Sequence, residues 1–235
     1  NTHLIAPVRT LAPSPNAYAL TQDLRPEIAD IEYDFEGETF TVGSFLKRHE
    51  LMGFLIVEGD TIQLEHYASD HGPEVRWNTF SVAKSVTSML IGAAIKDGYI
   101  DNVNETIETY LPRMRGSKYG AITIRQALQM SSGIRWSEGY DDPDSDVVKA
   151  ALKEGIALTD YLATLPQLHE AGTKFNYNTA ETNLLGEVLR SAIGNNASEY
   201  LDGKIWQAFG MEHEGNWALG APFGGETGGC CMNMT

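Results

Sequence analysis

The stretch "RWNTFSVAKSVTSMLIGAAIKDGYI" (Arg76–Ile100) decides how the rest of the chain is read. Between Trp77 and Ile95 it carries a single charged residue, Lys84, three positions after Ser81. The lysine lies among Val82, Ala83, Val86, Met89, Leu90 and Ile91. A helix apolar on nearly all sides is a buried helix. Thr79 is its expected cap, Lys96 falls in the last turn, and Gly98 can end it. Spacing i, i+3 puts the serine hydroxyl and the lysine amine on one face, within reach of each other. Burial strips water from an amine and favours its neutral form, and the positive end of the helix dipole acts in the same direction. A neutral amine can take a serine proton, which turns a weak hydroxyl into a nucleophile. The plainer alternative is a capping serine beside a lysine that snorkels to water. An unpaired buried charge is costly, and that favours the chemical reading.

Ser-x-x-Lys is a short pattern. With 13 serines and 8 lysines in 235 residues, chance alone gives roughly 0.4 matches. Two occur, Ser81/Lys84 and Ser44/Lys47. Lys47 is followed by Arg48, His49 and Glu50, a solvated face, so the second match reads as surface.

A chain of 235 residues, 42% hydrophobic and 21% charged, has ordinary globular composition and can bury a sizeable core. The formal net charge of -15 repels phosphate backbones, so nucleic acid is not an expected partner. No run is long and apolar enough for a membrane span. Cys230 and Cys231 are adjacent and offer no disulfide framework. His3, His49, His66, His71, His169 and His213 show no metal-ligand spacing, and there is no phosphate loop. No metal and no cofactor are therefore expected. The sequons at Asn104, Asn196 and Asn233 read as chance. No leader pattern is visible, and the compartment, cytoplasm or periplasm, stays open.

Pro7, Pro13, Pro15 and Pro26 make residues 1–30 read as an extended arm rather than an element. "SFLKRHEL" (44–51) reads as a short amphipathic helix. "MGFLIVEGDTIQLEHYA" (52–68) reads as a hairpin turning at Gly59 and Asp60. Beyond Asp101 the pattern is helical, with helices expected within 122–134, 146–155, 158–165, 179–194 and 197–211. "GAPFGGETGGCCMNMT" (220–235) reads as a flexible loop without an element. Strands first and helices later give an α+β class. The expected divisions are the arm (1–30), a part with hairpin and Ser81 helix (31–100), a mainly helical subdomain (101–220) and a closing loop (221–235). Two strands alone make a poor sheet, so further strands are expected.

"SVAKSVTSMLIGAAIKDGYI" resembles the nucleophile helix of the serine β-lactamase and penicillin-binding-protein superfamily. The resemblance is to its class C-like esterase and 6-aminohexanoate-dimer hydrolase branch. "ITIRQALQMSSGIRWSEGYDDPDSD", "AGTKFNYNTAETNLLGEVL" and "FGMEHEGNWALGAPFGGETGGCC" follow in the family's order. The resemblance implies an antiparallel sheet flanked by helices plus an all-helical subdomain. It implies Ser81 as nucleophile, Lys84 as base, and Tyr177 as the tyrosine of a Tyr-x-Asn motif that passes a proton during acylation. Thr179 stands at that motif's third position, which suits the esterase and amidase branch better than a β-lactamase. Tyr140 matches a substrate-contacting tyrosine, with Glu138 beside it; Trp136 and Trp217 read as packing. The implied substrate is a short ester or amide. The family's Lys-Thr-Gly strand has no counterpart here. The expectation is that 235 residues are part of a longer protein, the remaining strands lying in a C-terminal segment that completes the sheet; a homodimer is the other protein partner considered. Two alternatives stand beside the esterase or amidase: a β-lactamase or D-Ala-D-Ala peptidase, and a non-catalytic penicillin-recognition-like binding module.

Overall fold

The computed structural model describes residues 6–68, 70–151, 153, 155–220 and 224–235. Among these the strands are β1 (Val8–Leu11), β2 (Thr21–Gln22), β3 (Glu32–Phe35), β4 (Glu38–Thr41), β5 (Gly53–Glu58), β6 (Thr61–Tyr67), β7 (Trp77–Asn78), β8 (Gly215–Ala218) and β9 (Met232–Met234). The helices are α1 (Val42–Arg48), α2 (Ala83–Lys96), α3 (Ile107–Tyr110), α4 (Lys118–Ala121), α5 (Ile124–Leu128), α6 (Asp146–Ala151), α7 (Gly155–Ala163), α8 (Thr179–Ile193) and α9 (Ala197–Leu201). The class is α+β, as expected. Among the described residues no helix is long and apolar enough to cross a membrane. Two compact units form: one joins the segment up to Pro15 to Arg76–Met234, and the other is built on Asn16–Val75. These divisions do not coincide with boundaries at 30, 100 and 220.

In the Asn16–Val75 unit the expected hairpin is present. β5 and β6 pair antiparallel, with a register shift between Ile56 and Val57. Gly59, at φ 58°, makes the turn that a side chain would strain. β2 joins β6 in parallel, giving the order β2-β6-β5. β5 is thus the outer strand, and its Leu55 and Val57 are exposed. In α1, Thr41 and Ser44 close a reciprocal capping box. The Ser44 hydroxyl is occupied by that cap and Lys47 is exposed, which accounts for the second Ser-x-x-Lys match.

In the other unit the sheet runs β1-β8-β9-β7. Three expectations are corrected here. Val8–Leu11 is a strand, not a free arm. Pro7 and Pro13 flank it, and as an edge strand it tolerates them. The segment after 220 holds β9, which pairs with both β7 and β8. Strands also follow the helices: all four residues of β8 are buried, so it carries no polar–apolar alternation to read. Glu226 fastens the first strand to the last segment. It accepts from Arg9 at 2.7 Å and from the Ser198 N–H at 2.9 Å.

The core centres on α8, which packs on α2, α3, α5 and α9. Asn178 caps it, its side chain accepting from the Glu181 N–H, and Gly194 ends it in the left-handed region at φ 92°. Ala180, Leu184, Leu185, Val188 and Leu189 are buried, a stripe at helical spacing. Facing it, α2 buries Ala83, Val86, Leu90, Ile91 and Ala94. α2 is not buried on all sides: Val82, just before it, and Met89 are about half exposed or more.

At the start of α8 a polar group sits inside this core. Glu181 is 1% exposed; it accepts from Ser132 at 2.5 Å and from Asn178 Nδ2 at 3.1 Å, and its Oε2 has no partner among the described residues. Asn178 Nδ2 also donates to the buried Tyr119 hydroxyl at 2.9 Å. Burial pushes the Glu181 carboxyl up from 4.5 to about 8, against the hydrogen bonds it accepts.

Two outcomes are expected. Leu90→Ala removes a fully buried side chain and should lower the unfolding free energy by about 3 kcal/mol, read as a drop in urea midpoint at constant m. Between pH 4.5 and about 8 the native state holds a proton on Glu181 that the unfolded chain has lost. Stability should therefore fall as pH rises through that window and level off above it. Glu181→Gln should remove that part of the slope; parallel urea midpoint curves for the two proteins from about pH 5 to about pH 9 would refute it.

Candidate active site

The chain reaches Ser81 through a backbone turn that the helical pattern conceals. β7 ends at Asn78, and Phe80 then adopts φ 44°, a left-handed conformation unfavourable for a bulky residue. The Asn78 side chain braces it, accepting from the Phe80 N–H at 3.0 Å. Ser81 lies in the short 3-10 turn Phe80–Val82, and α2 begins only at Ala83. Thr79 is not the expected helix cap. Its N–H donates to the Met232 carbonyl at 2.8 Å, and its hydroxyl accepts from the Met232 N–H at 3.1 Å. The residue before this turn is thereby tied to β9 rather than to α2.

The Lys84 ammonium donates to Ser81 Oγ at 3.0 Å and to the Gly229 carbonyl at 2.7 Å. It stands 5.2 Å from the centroid of the Tyr177 ring, a cation–π distance. Ser81 and Lys84 are both partly buried. Gly229 belongs to the glycine-rich segment read as flexible, and here that reading is corrected. The Gly228 carbonyl accepts from Thr87 at 2.7 Å, and the Gly229 N–H donates to Asn183 Oδ1 at 2.8 Å. A Cβ on Gly228 would lie 2.4 Å from the Thr182 carbonyl oxygen, so only glycine lets this segment rest on α8.

Beside Ser81 opens a largely apolar cavity of about 700 Å³, walled in part by Phe80, Trp136, Tyr140, Val147, Ala150 and Leu219. Cys230 and Cys231 form another part of its wall. Glu138 gathers donors behind it. Its carboxylate accepts from the Tyr140 hydroxyl at 2.7 Å, from the Thr179 N–H at 3.2 Å, and from the Trp136 indole N–H and the Thr179 hydroxyl. Burial and then the bond to Glu138 raise the Tyr140 phenol, which keeps it a neutral donor.

The structure thus brings Ser81, Lys84 and Tyr177 together, and places Tyr140 on the cavity wall with Glu138 holding its hydroxyl. One detail differs from the phenol bridge expected of Tyr177. The face of its ring, not its hydroxyl, meets the ammonium, and among the described residues that hydroxyl has no hydrogen-bond partner. Thr179, at the Asn position of the motif, turns to Glu138. Trp136, read as packing, is buried and also walls the cavity. Trp217 is a packing residue in β8, its indole N–H donating to the Thr227 carbonyl at 3.1 Å. Sequence reasoning missed Asn183 and Gly229. Asn183 lies four positions after Thr179 on α8, the same face of the helix, and that spacing was the available signal.

A family model described as Beta-lactamase matches residues 46–222, well over half of the chain. A 6-aminohexanoate-dimer hydrolase from Paenarthrobacter ureafaciens is 29% identical over 161 residues, 65% of this chain and 41% of its own. A structure from Bacillus anthracis, provisionally named a 6-aminohexanoate-dimer hydrolase, superposes with a TM-score of 0.84 at 19% identity. It covers 100% of this chain and 64% of its own. A class C beta lactamase from Rhodobacter sphaeroides superposes with a TM-score of 0.53 at 20% identity over 67% of this chain and 45% of its own. The chain therefore spans less than two thirds of the relatives it matches. With a family model over most of its length and a β-lactamase-like fold around Ser81, the chain belongs to the beta-lactamase family.

Proposed function

We propose that this protein is a serine hydrolase that cleaves short esters or amides through an acyl-enzyme. The observation that carries the proposal is the 3.0 Å contact between Lys84 Nζ and Ser81 Oγ at the edge of an apolar cavity, with the lysine held from behind by the Gly229 carbonyl. Ser81 Oγ attacks the substrate carbonyl and forms the new C–O bond, while Lys84 Nζ, as the neutral amine, takes its proton along the same line and becomes the ammonium. The Ser81 backbone N–H supports the oxyanion. Tyr177, whose hydroxyl has no other partner among the described residues, delivers a proton to the leaving oxygen or nitrogen as the scissile bond breaks and receives in its place the proton that Lys84 took. Water then attacks the acyl-serine and regenerates the hydroxyl.

The name of the Paenarthrobacter relative points to linear amides of an ω-amino acid, and the cavity suits an unbranched methylene chain. A second reading is a binding module without turnover. It is favoured by Tyr177 meeting Lys84 through its ring rather than its hydroxyl. A β-lactamase or peptidase is disfavoured by Thr179 at the asparagine position and by the engagement of its hydroxyl with Glu138.

Treatment with a fluorophosphonate should add one phosphonyl group to the intact protein, on Ser81, and Ser81→Ala should take none. A folded protein that stays unlabelled would favour the binding module. Lys84→Met should lower kcat/KM for a short acyl ester by about 10²-fold or more, the scale of a lost general base.

A further inference from the structure

The charges around the cavity run against those of the chain. The protein carries 32 acidic and 17 basic residues, yet among the described residues the charged ones that wall the cavity beside Ser81 are two lysines, Lys84 and Lys153. Lys84 is committed to Ser81 and Gly229. Lys153 has no such commitment among the described residues. It sits between α6 and α7, with its ammonium 5.6 Å from the centroid of the Tyr161 ring. Among the described residues no carboxylate pairs with it. The carboxylates nearest in kind wall a smaller neighbouring cavity that Lys153 also borders, and both are taken: Glu187 pairs with Arg190 at 2.5 Å and Glu226 with Arg9 at 2.7 Å.

The placement of Lys153 is supported from behind. Asp146, at the start of α6, accepts from Arg135 at 2.9 and 3.0 Å, from the Ser137 N–H and hydroxyl, and from the Tyr161 hydroxyl at 2.7 Å. The Tyr161 ring that faces the ammonium is therefore fixed by the residue that anchors α6. Burial and then the bond to Asp146 push the Tyr161 phenol up to about 12, so the hydroxyl stays neutral and keeps donating. Between the nucleophile and Lys153 the wall is supplied by Val147, Ala150 and Ala151. A cavity with a nucleophile, an apolar stretch of wall and a cation that no described carboxylate pairs with fits one kind of ligand: an apolar chain ending in an anion.

We propose that Lys153 is a specificity-determining residue that selects substrates bearing a carboxylate at the end of an apolar chain remote from the scissile bond. The inference rests on the hydrolase reading above and deepens it by naming the charge of the preferred substrate. The ammonium–carboxylate contact forms at the edge of a low-dielectric cavity, where a charge-assisted bond is stronger than at an open surface.

The test uses the whole protein and matched p-nitrophenyl esters: a neutral butyrate, the hemiester of a linear dicarboxylic acid, and a linear ω-amino acid ester. A butyrate ester of a hydroxybenzoate places the carboxylate on the leaving group instead. The readout is the ratio of kcat/KM, anionic over neutral, within each placement. One of the two ratios is expected to favour the anion about tenfold, mainly through KM, and to shrink in about 0.5 M salt. Lys153→Met should abolish that preference, Lys153→Arg should keep it, and Lys153→Glu should shift the preference to the amino ester. A preference that survives in Lys153→Met belongs to Lys84 and overturns the proposal, as does the absence of any preference. Failure of the hydrolase reading looks different: none of the esters is turned over in a Ser81-dependent way.

Discussion

Two glycines facing each other set the distance on which the site depends. A Cβ on Gly186 of α8 would lie 3.1 Å from the Gly228 Cα, and one on Gly228 would lie 2.4 Å from the Thr182 carbonyl oxygen. Without side chains the two backbones meet, and the next carbonyl, Gly229, arrives 2.7 Å from Lys84. Three segments far apart in the chain thereby meet around one ammonium: the Ser81 turn, the start of α8 with Tyr177, and the glycine segment. A bulkier residue at either position would lift the last segment from α8, taking with it the acceptor that aims the lysine at Ser81 and the neighbouring wall of the cavity.

Much of this was legible in the sequence, for identifiable reasons. Ser81 and Lys84 stood out because one charge in a long apolar run has few bland explanations. The hairpin over 53–67 was readable because β-branched runs flanking a glycine turn carry a strong local signal. The helices over 146–194 followed from apolar periodicity, and Asn178 with Gly194 marks the ends of α8. Tyr177, Tyr140 and Glu138 came from the order of several blocks, since nothing local marks a tyrosine as more than a half-buried ring.

What could not be read depends on contacts distant in sequence. β1, β8 and β9 are short strands whose status comes from pairing with distant segments, β1 with β8 and β9 with β7; their local composition is mute. The turn at Phe80 contradicts the residue's own preference, and only the brace from Asn78 and the tie from Thr79 to Met232 explain it. The glycine-rich segment looked mobile because glycine is permissive. Permissiveness also allows close approach, and the sequence does not say which of the two is in use. Glu181 is a similar case: at the first turn of a helix a glutamate is expected to be a solvated dipole partner, and here it is a buried, proton-holding acceptor.

The outer strand of the hairpin bears on how the molecule behaves among its own kind. Among the described residues β5 has β6 on one side only, and its Leu55 and Val57 point outward, 51% and 40% exposed. Such an edge offers backbone donors and acceptors together with an oily flank, the template on which another strand adds itself. The shift between Ile56 and Val57 and the closing Glu58 interrupt that template. At high concentration the chain's colloidal behaviour is thus set by a contest between a short apolar ribbon that invites stacking and a strongly anionic surface that keeps copies apart.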